Sequence, residues 1–470
     1  MNRFTLTLML TGAVTTAMLS APGLAQTSAQ TAKMPSVSSP LYQPKKLVTI
    51  SAPDWAKSAT LYELNTRQFT PEGTFKAAQK QLPRLKAQGV DIIWLMPIHP
   101  IGEKNRKGTL GSYYAVKDYF GVNPEFGTEA DLKAFVDAAH KQGMHVILDW
   151  VANHTAWDNP LTKDMRNYEK DWQGKPHPTP WWDWSDIIDL NYDRPQVRQH
   201  VMEAMKYWVR DVGVDGFRAD VAGYVPLDFW ETTRAELDKI KPVFMLAEWA
   251  SRDLNYAAFD ATYAWDWYNA MHNIAQGKAD ATALYGYYSA KESSFPREAM
   301  QMTFVENHDK NSWEGTQYEA FGDALDAAIV LSVVGEGIPL LHNGQEACNT
   351  KRLEFFEKDP IQWKPCPLAD HYRKLFAYKK ANPALWNGKW GATMEKVEND
   401  KPKEIFSFIR RGEKNTVFAA FNFSKAPVTF KLSDAHAAGA YKDYADGKAV
   451  TIKAGDSMTI PAWGYRVMAR

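Results

Sequence analysis

The apolar positions of this chain fall into short unbroken runs, separated by longer stretches in which they recur every three to four residues. Runs at 59–64, 90–96, 144–151, 216–219, 243–247, 302–305 and 338–342, with a weaker one at 261–265, read as buried strands. The stretches 75–88, 130–142, 196–212, 227–240 and 324–334 read as amphipathic helices, and a polar helical region follows the sixth run. Gly89, Gly143 and Gly213 stand where three of these helices must stop. Strand–helix alternation implies parallel βαβ units, and eight of them suggest a closed (β/α)8 TIM barrel, class α/β, over 46–154 and 190–385. A doubly wound open sheet is the alternative, but no Gly-x-Gly-x-x-Gly follows the first strand. One connection breaks the rhythm. Residues 155–189 lack helical periodicity, are rich in Trp, Asp and Pro, and are too long for an ordinary loop, which predicts a small domain inserted after strand three. Beyond a helix at 371–380 the period shortens. Segments 391–397, 404–409, 416–423, 428–432 and 457–461 alternate between turn residues, as in a C-terminal antiparallel β-sandwich over 386–470.

The N-terminus carries Arg3, an apolar stretch from Phe4 to Leu19, and small residues at Gly23-Leu24-Ala25, the pattern of a signal peptide over 1–25. A Ser-, Thr-, Gln- and Pro-rich leader over 26–45 follows, so the chain is expected to be exported to the periplasm or the medium. No later run is long and apolar enough to span a bilayer. Cys348 and Cys366 are the only cysteines; in an exported chain they could close one short disulfide loop, and two buried thiols are the alternative. Lys+Arg and Asp+Glu are both 55, which argues against nucleic acid or an anionic membrane as partner. The 18 tryptophans exceed what a core needs and suit a site that stacks on flat apolar faces such as sugar rings.

The candidate chemistry gathers at strand ends. Arg218 and Asp220 lie two apart on the fourth strand and so face the same way. They form either a plain buried ion pair or a nucleophile that the arginine keeps ionised by lowering its pKa. Strand three ends in Asp149, Asn153 and His154, strand five in Glu248-Trp249, strand seven in Glu306-Asn307-His308-Asp309, and strand eight is followed by Asn343 and Glu346. Several acids and neutral histidines around one mouth suit glycoside hydrolysis, which needs one ionised and one protonated carboxyl group. Glu248, beside Trp249 and the charge of Asp220, is expected to hold its proton to higher pH. A metal site is the competing reading, although no His-Glu-x-x-His is present.

Four of these stretches, in order, resemble the signatures of the α-amylase family of glycoside hydrolases: Asp149-x-Val-x-Asn153-His154, Gly216-x-Arg218-x-Asp220, Glu248, and Asn307-His308-Asp309. Trp94-Leu-Met-Pro97, Asp189-Leu-Asn191 and Gly337 to Glu346 agree with weaker family marks, and the resemblance covers about residues 55–470. It implies an α-1,4-glucan or maltooligosaccharide substrate and double displacement with retention. Asp220 would be nucleophile, Glu248 general acid/base, and Asp309 would orient the sugar hydroxyls. Tyr114 would stack on the sugar, His154 and His308 would hydrogen-bond it, Arg218 would place Asp220, Asp149 would support the group from behind, and Trp249 is a further candidate contact. No cofactor is implied for the chemistry; a structural calcium is compatible with Asn153 and the Tyr224 carbonyl. Glu346 is expected to be structural. Many relatives carry Lys-His where this chain has Gly223-Tyr224, and Val221 also occurs in relatives that cut α-1,6 bonds. An α-glucosidase, neopullulanase or glucan transferase therefore stays open, as does a non-catalytic glycan-binding relative, although such relatives lose the acids retained here.

Overall fold

The computed structural model describes residues 47–470; the expected signal peptide at 1–25 and leader at 26–45 lie outside the described residues. Eight parallel strands close a barrel: β1 (Leu61–Leu64), β2 (Ile92–Leu95), β3 (His145–Trp150), β4 (Gly216–Ala219), β5 (Phe244–Ala247), β6 (Ala261–Tyr263), β7 (Met300–Thr303) and β8 (Ile338–His342). Each strand pairs with its neighbours in chain order, and β1 closes on β8 through Leu61↔Leu340. Nearly every strand position is buried, as the unbroken apolar runs require. β7 begins two residues earlier than its apolar run implies. Gln301 hides this start, because its side chain is satisfied in the interior by the Tyr287 hydroxyl at 2.6 Å.

The helices follow the periodicity with one correction. The stretch 75–88 is two helices, Phe75–Gln79 and Leu82–Gln88, because Pro83 lacks an N–H and its ring blocks the carbonyl four residues back. Elsewhere local chemistry sets the ends. Thr128 and Asp131 form a reciprocal cap at the start of Glu129–Lys141. Gly213, at φ +89°, ends the helical run that reaches Val212. Every residue of helix Leu325–Val334 except Asp326 is buried, so it shows no amphipathic stripe.

The excursion after β3 is closed at its base by a two-stranded ladder, His154–Ala156 against Ile187–Asp189, and holds only short 3-10 turns between. The C-terminal domain has eight strands. Six form one sheet and Val428–Lys431 pairs with Ser457–Ile460 across a separate apolar core. Strands Gly439–Asp443, Ala449–Ile452 and Tyr465–Ala469 escape the sequence reading because their alternating positions are largely polar or exposed. No helix among the described residues is long and apolar enough to cross a membrane.

Cys348 and Cys366 form a disulfide that closes a loop of 18 residues after β8. Reduction, or Cys366→Ser, is expected to lower stability by about 3 kcal/mol in the chain-entropy picture. Chemical denaturation with and without reductant reads this directly, and coincident midpoints would leave the bridge no stabilising role.

Candidate active site

β3, β4 and β5 bring the expected residues together at one end of the barrel. The register pairs Asp149 with Arg218 and Ala219 with Ala247, so Asp220 and Glu248 leave neighbouring strands side by side. Arg218 is fully buried among three carboxylates. Its Nη1 donates to Asp149 Oδ1 at 2.9 Å and to Asp220 Oδ1 at 3.2 Å. Its Nη2 lies 2.9 Å from Glu248 Oε1 but off the hydrogen-bonding direction, which makes that contact an ion pair only. Nε donates to the Tyr263 hydroxyl at 3.1 Å, and the Trp94 ring lies 5.0 Å from the guanidinium. The aligned donor to Glu248 is the Val221 amide, at 2.8 Å from Oε2. Val221 sits at φ +35°, a left-handed conformation that costs a β-branched residue energy. The strain lies directly after Asp220 and aims that amide at Glu248.

The electrostatics correct the expectation that Arg218 lowers Asp220. Burial and the neighbouring Glu248 charge outweigh the arginine and push Asp220 well above the usual carboxylate range. Burial also raises Glu248, against the pull of Arg218. One guanidinium faces three carboxylates, and both members of the Asp220–Glu248 pair resist ionisation. Asp149, also raised by burial, accepts further hydrogen bonds from Trp94 Nε1 and the Tyr114 hydroxyl, each at 3.1 Å.

The two histidines are in opposite charge states, which corrects the reading of both as neutral. Burial pushes His154 down to about 3, so it is uncharged. Its Nε2 lies 3.9 Å from Asp220 Oδ2. Burial works against charge at His308 too, but Asp309 and Glu63 outweigh it and raise the ring to about 9. Asp309 lies 3.4 Å from His308 Nε2 and is the most exposed of the three expected catalytic acids.

These groups form the floor of a cavity of about 680 Å³ lined by Tyr114, His154, Asp220, Glu248, His308 and Asp309. Asp149 and Arg218 lie behind this lining. Trp249, expected at the sugar, does not line it either. Its indole covers Gly223, where an added Cβ would sit 2.1 Å from the ring, and meets Tyr224 edge-on at 5.2 Å. The glycine that replaces the family lysine is therefore coupled to Trp249.

Sequence reasoning missed the walls. On the inserted domain, Trp182 and Trp184 stack in parallel at 5.3 Å, and Trp182 Nε1 donates to the Tyr224 hydroxyl at 3.3 Å. Opposite them, Trp313, Phe355 and Phe356 cluster at 5.1–5.8 Å. Trp182 and Trp313 are more than half exposed. The signal was the dense Trp-Trp-Asp-Trp run at 181–184.

Asn153 and Tyr224 line one cavity with Glu169, Asp189 and Asp193, oxygen donors of the kind a calcium ion would take. Asn153 Nδ2 donates to Asp189 Oδ1 at 3.1 Å and to Thr179 Oγ1 at 3.3 Å, and Thr179 donates to the same Asp189 oxygen at 2.6 Å. These three side chains satisfy one another around Asp189, whose carboxyl burial raises to about 6. Among the described residues, the group of three with metal-ligand spacing is His140, His145 and Asp215, at the other end of β3 and β4. There Lys241, His140 and the Val146 amide already occupy Asp215, at 2.9, 2.7 and 2.8 Å. Glu346 is structural, held by the Tyr62 hydroxyl at 2.6 Å and Arg84 at 3.1 Å.

A parallel barrel with a buried carboxylate pair at adjacent strand ends, a third acid facing it and aromatic walls defines a barrel enzyme that acts on glycosidic bonds. Residues 49–401 match the family described as Alpha amylase, catalytic domain, and residues 394–467 match Maltogenic Amylase, C-terminal domain. The chain belongs to the α-amylase family of glycoside hydrolases and is an enzyme that hydrolyses α-glucans. Its fold is similar to that of a noncanonic maltogenic alpha-amylase, AmyB, from Thermotoga neapolitana, with a TM-score of 0.80, 30% identity, and coverage of 88% of this chain and 99% of that one. It is 29% identical over 401 residues to Alpha-amylase MalA of Haloarcula japonica, covering 81% of this chain but only 58% of that protein's length. A Cyclomaltodextrinase from a Bacillus species is 26% identical, over 82% of this chain and 76% of its own.

Proposed function

We propose that the enzyme is exported and cleaves α-1,4-glucosidic bonds of maltooligosaccharides and starch-derived chains by double displacement with retention. One observation carries the mechanism: a single guanidinium holds Asp220 and Glu248 together at neighbouring strand ends. Carboxyl groups on adjacent strand ends that share one guanidinium suit the short separation that retention requires. Protonated Glu248 gives its proton to the leaving glycosidic oxygen, while ionised Asp220 forms a bond to the anomeric carbon. Water then attacks that carbon, Glu248 takes its proton, and Asp220 is released. Arg218 Nη1 and the neutral His154 face Asp220 as its charge develops. Asp309 would hold sugar hydroxyls in the transition state, and Tyr114, stacked on His308 at 5.6 Å, would support the ring. The disulfide fits an oxidising compartment, which supports export.

A second reading, glucan transfer, is favoured by the Trp182–Tyr224 contact. An aromatic platform beside the acid/base would bind a sugar acceptor in competition with water. A relative named cyclomaltodextrin glucanotransferase, from a Bacillus species, is 25% identical over 430 residues. Digestion of maltoheptaose separates the two, because transfer alone yields chains longer than the substrate.

Proton NMR of fresh product tests the mechanism. The α-anomer is expected first, with the β-anomer growing in by mutarotation. If the β-anomer appears first, the reaction inverts and Asp220 is no nucleophile.

A further inference from the structure

Glu63 is a fully buried acid in the middle of β1, between Tyr62 and Leu64. Its Oε1 is bonded to Nδ1 of His308, and its Oε2 has no hydrogen-bond partner. A carboxylate kept in a barrel interior with one oxygen unsatisfied is costly to folding. The contacts of His308 show what it does.

His308 Nε2 lies 2.8 Å from the Tyr114 hydroxyl, and that hydroxyl lies 3.1 Å from Asp149 Oδ2. Asp149 in turn accepts from Arg218 and Trp94. Tyr114 has one proton, and both oxygens of Asp149 already receive donors, Oδ1 from Arg218 and Oδ2 from the Trp94 indole, so Tyr114 donates to Asp149. Its oxygen must then accept from His308, which puts a proton on Nε2. Glu63, ionised, also only accepts, which puts a proton on Nδ1. Both ring nitrogens carry hydrogen, and the ring is the imidazolium. A neutral His308 would have to leave one of these contacts unmade.

We propose that Glu63 is a positioning residue that holds His308 as an imidazolium, so that a charged donor faces Asp309 and the sugar-binding cavity. The inference rests on the proposed function only for its effect on turnover; the charge state follows from the contacts themselves. The surroundings from each packed element are consistent. Asp309 lies on the same segment, Glu63 on β1, Asp149 on β3 and Arg218 on β4, with Glu248 beyond it on β5. Arg218 opposes charge on the ring, Asp309 and Glu63 favour it, and the balance leaves His308 raised to about 9. His342, on β8, also holds Glu63 in its ionised form.

Glu63→Gln separates charge from shape. The amide oxygen still accepts from Nδ1, so the ring keeps its place, but the negative charge is gone. Enzyme labelled with carbon-13 at histidine Cε1 reads the ring directly, with the His308 signal identified by its loss in His308→Asn. In the wild type the signal should stay at the imidazolium position until about pH 9. In Glu63→Gln its midpoint should fall by about one pH unit or more. The basic limb of kcat/KM should move the same way, with activity near pH 5 within about threefold of wild type. A purely structural role would instead depress activity equally at every pH and leave the His308 midpoint unmoved, which would overturn the proposal. If the variant does not fold, the wild-type titration decides alone: a ring already neutral at pH 7 sinks it. These signals do not depend on turnover, so failure of the glycosidase reading would leave them standing.

Discussion

Asp220→Asn and Glu248→Gln are each expected to abolish practical turnover while leaving a folded enzyme that is more stable than wild type at neutral pH. Loss of a nucleophile removes the covalent route and should lower kcat on maltodextrin by at least about 10³-fold. Loss of the acid/base should lower it by about 10²–10⁴-fold. A substrate whose leaving group needs no proton separates the two roles. With a glycosyl fluoride, Glu248→Gln should recover the first step and Asp220→Asn should not. The stability gain follows from linkage. Burial raises both carboxyl groups above their unfolded values, so each resists ionisation in the folded state. A raised carboxylate has no effect on stability below the unfolded pKa of about 4 and a growing cost above it, until its folded pKa is passed. The neutral variants lack that cost. Their advantage should vanish near pH 3–4 and be full at pH 7–8, which thermal scans across this range will show. A folded Asp220→Asn with wild-type turnover would end the assignment.

The sequence disclosed the barrel because parallel strands buried on both faces are apolar without interruption, and only eight such runs are present before the pattern changes. The acids were legible for the opposite reason: charge directly after an apolar run has nowhere to go but the strand end. What stayed hidden depends on contacts between distant segments. Glu63 looks like an ordinary strand residue until His308, 245 positions away, closes on it. Trp249 follows Glu248 in sequence, yet its indole lies over Gly223, in the space a Cβ there would fill, and not in the cavity. The charge states could not be read at all, because Arg218 serves three carboxylates rather than the one beside it in the sequence. The missed C-terminal strands have a simpler cause: half-exposed strands such as Ala449–Ile452 have too few buried positions to show a period of two.

Arg218→Met should be the most destabilising single substitution at the site, and its cost should depend on pH. The wild-type guanidinium is fully buried and faces Asp149, Asp220 and Glu248 at 2.9, 3.2 and 2.9 Å. Methionine fills part of the volume and makes similar contacts with Trp94 and Tyr263, so the packing loss is small beside the electrostatic one. Removing one partner of a buried charge cluster costs about 3–5 kcal/mol, because the remaining charges are left uncompensated. Here the three carboxylates are already raised in the folded state, and Arg218 is what limits the rise. Without it they climb further and ionise only at higher pH. The sign follows: near pH 3, below the unfolded pKa of about 4, the carboxyl groups are mostly protonated in both states and the variant should approach wild-type stability. Between that pH and the raised folded values its deficit should grow to the full amount. Urea midpoints at pH 3 and pH 8 test this, and a deficit equal at both would mean that Arg218 contributes shape alone. Arg218→Lys sharpens the result. A lysine restores one positive charge and should recover part of the stability at pH 8. Its single ammonium cannot span Asp149, Asp220 and Glu248 as the planar fork does, so turnover should remain low.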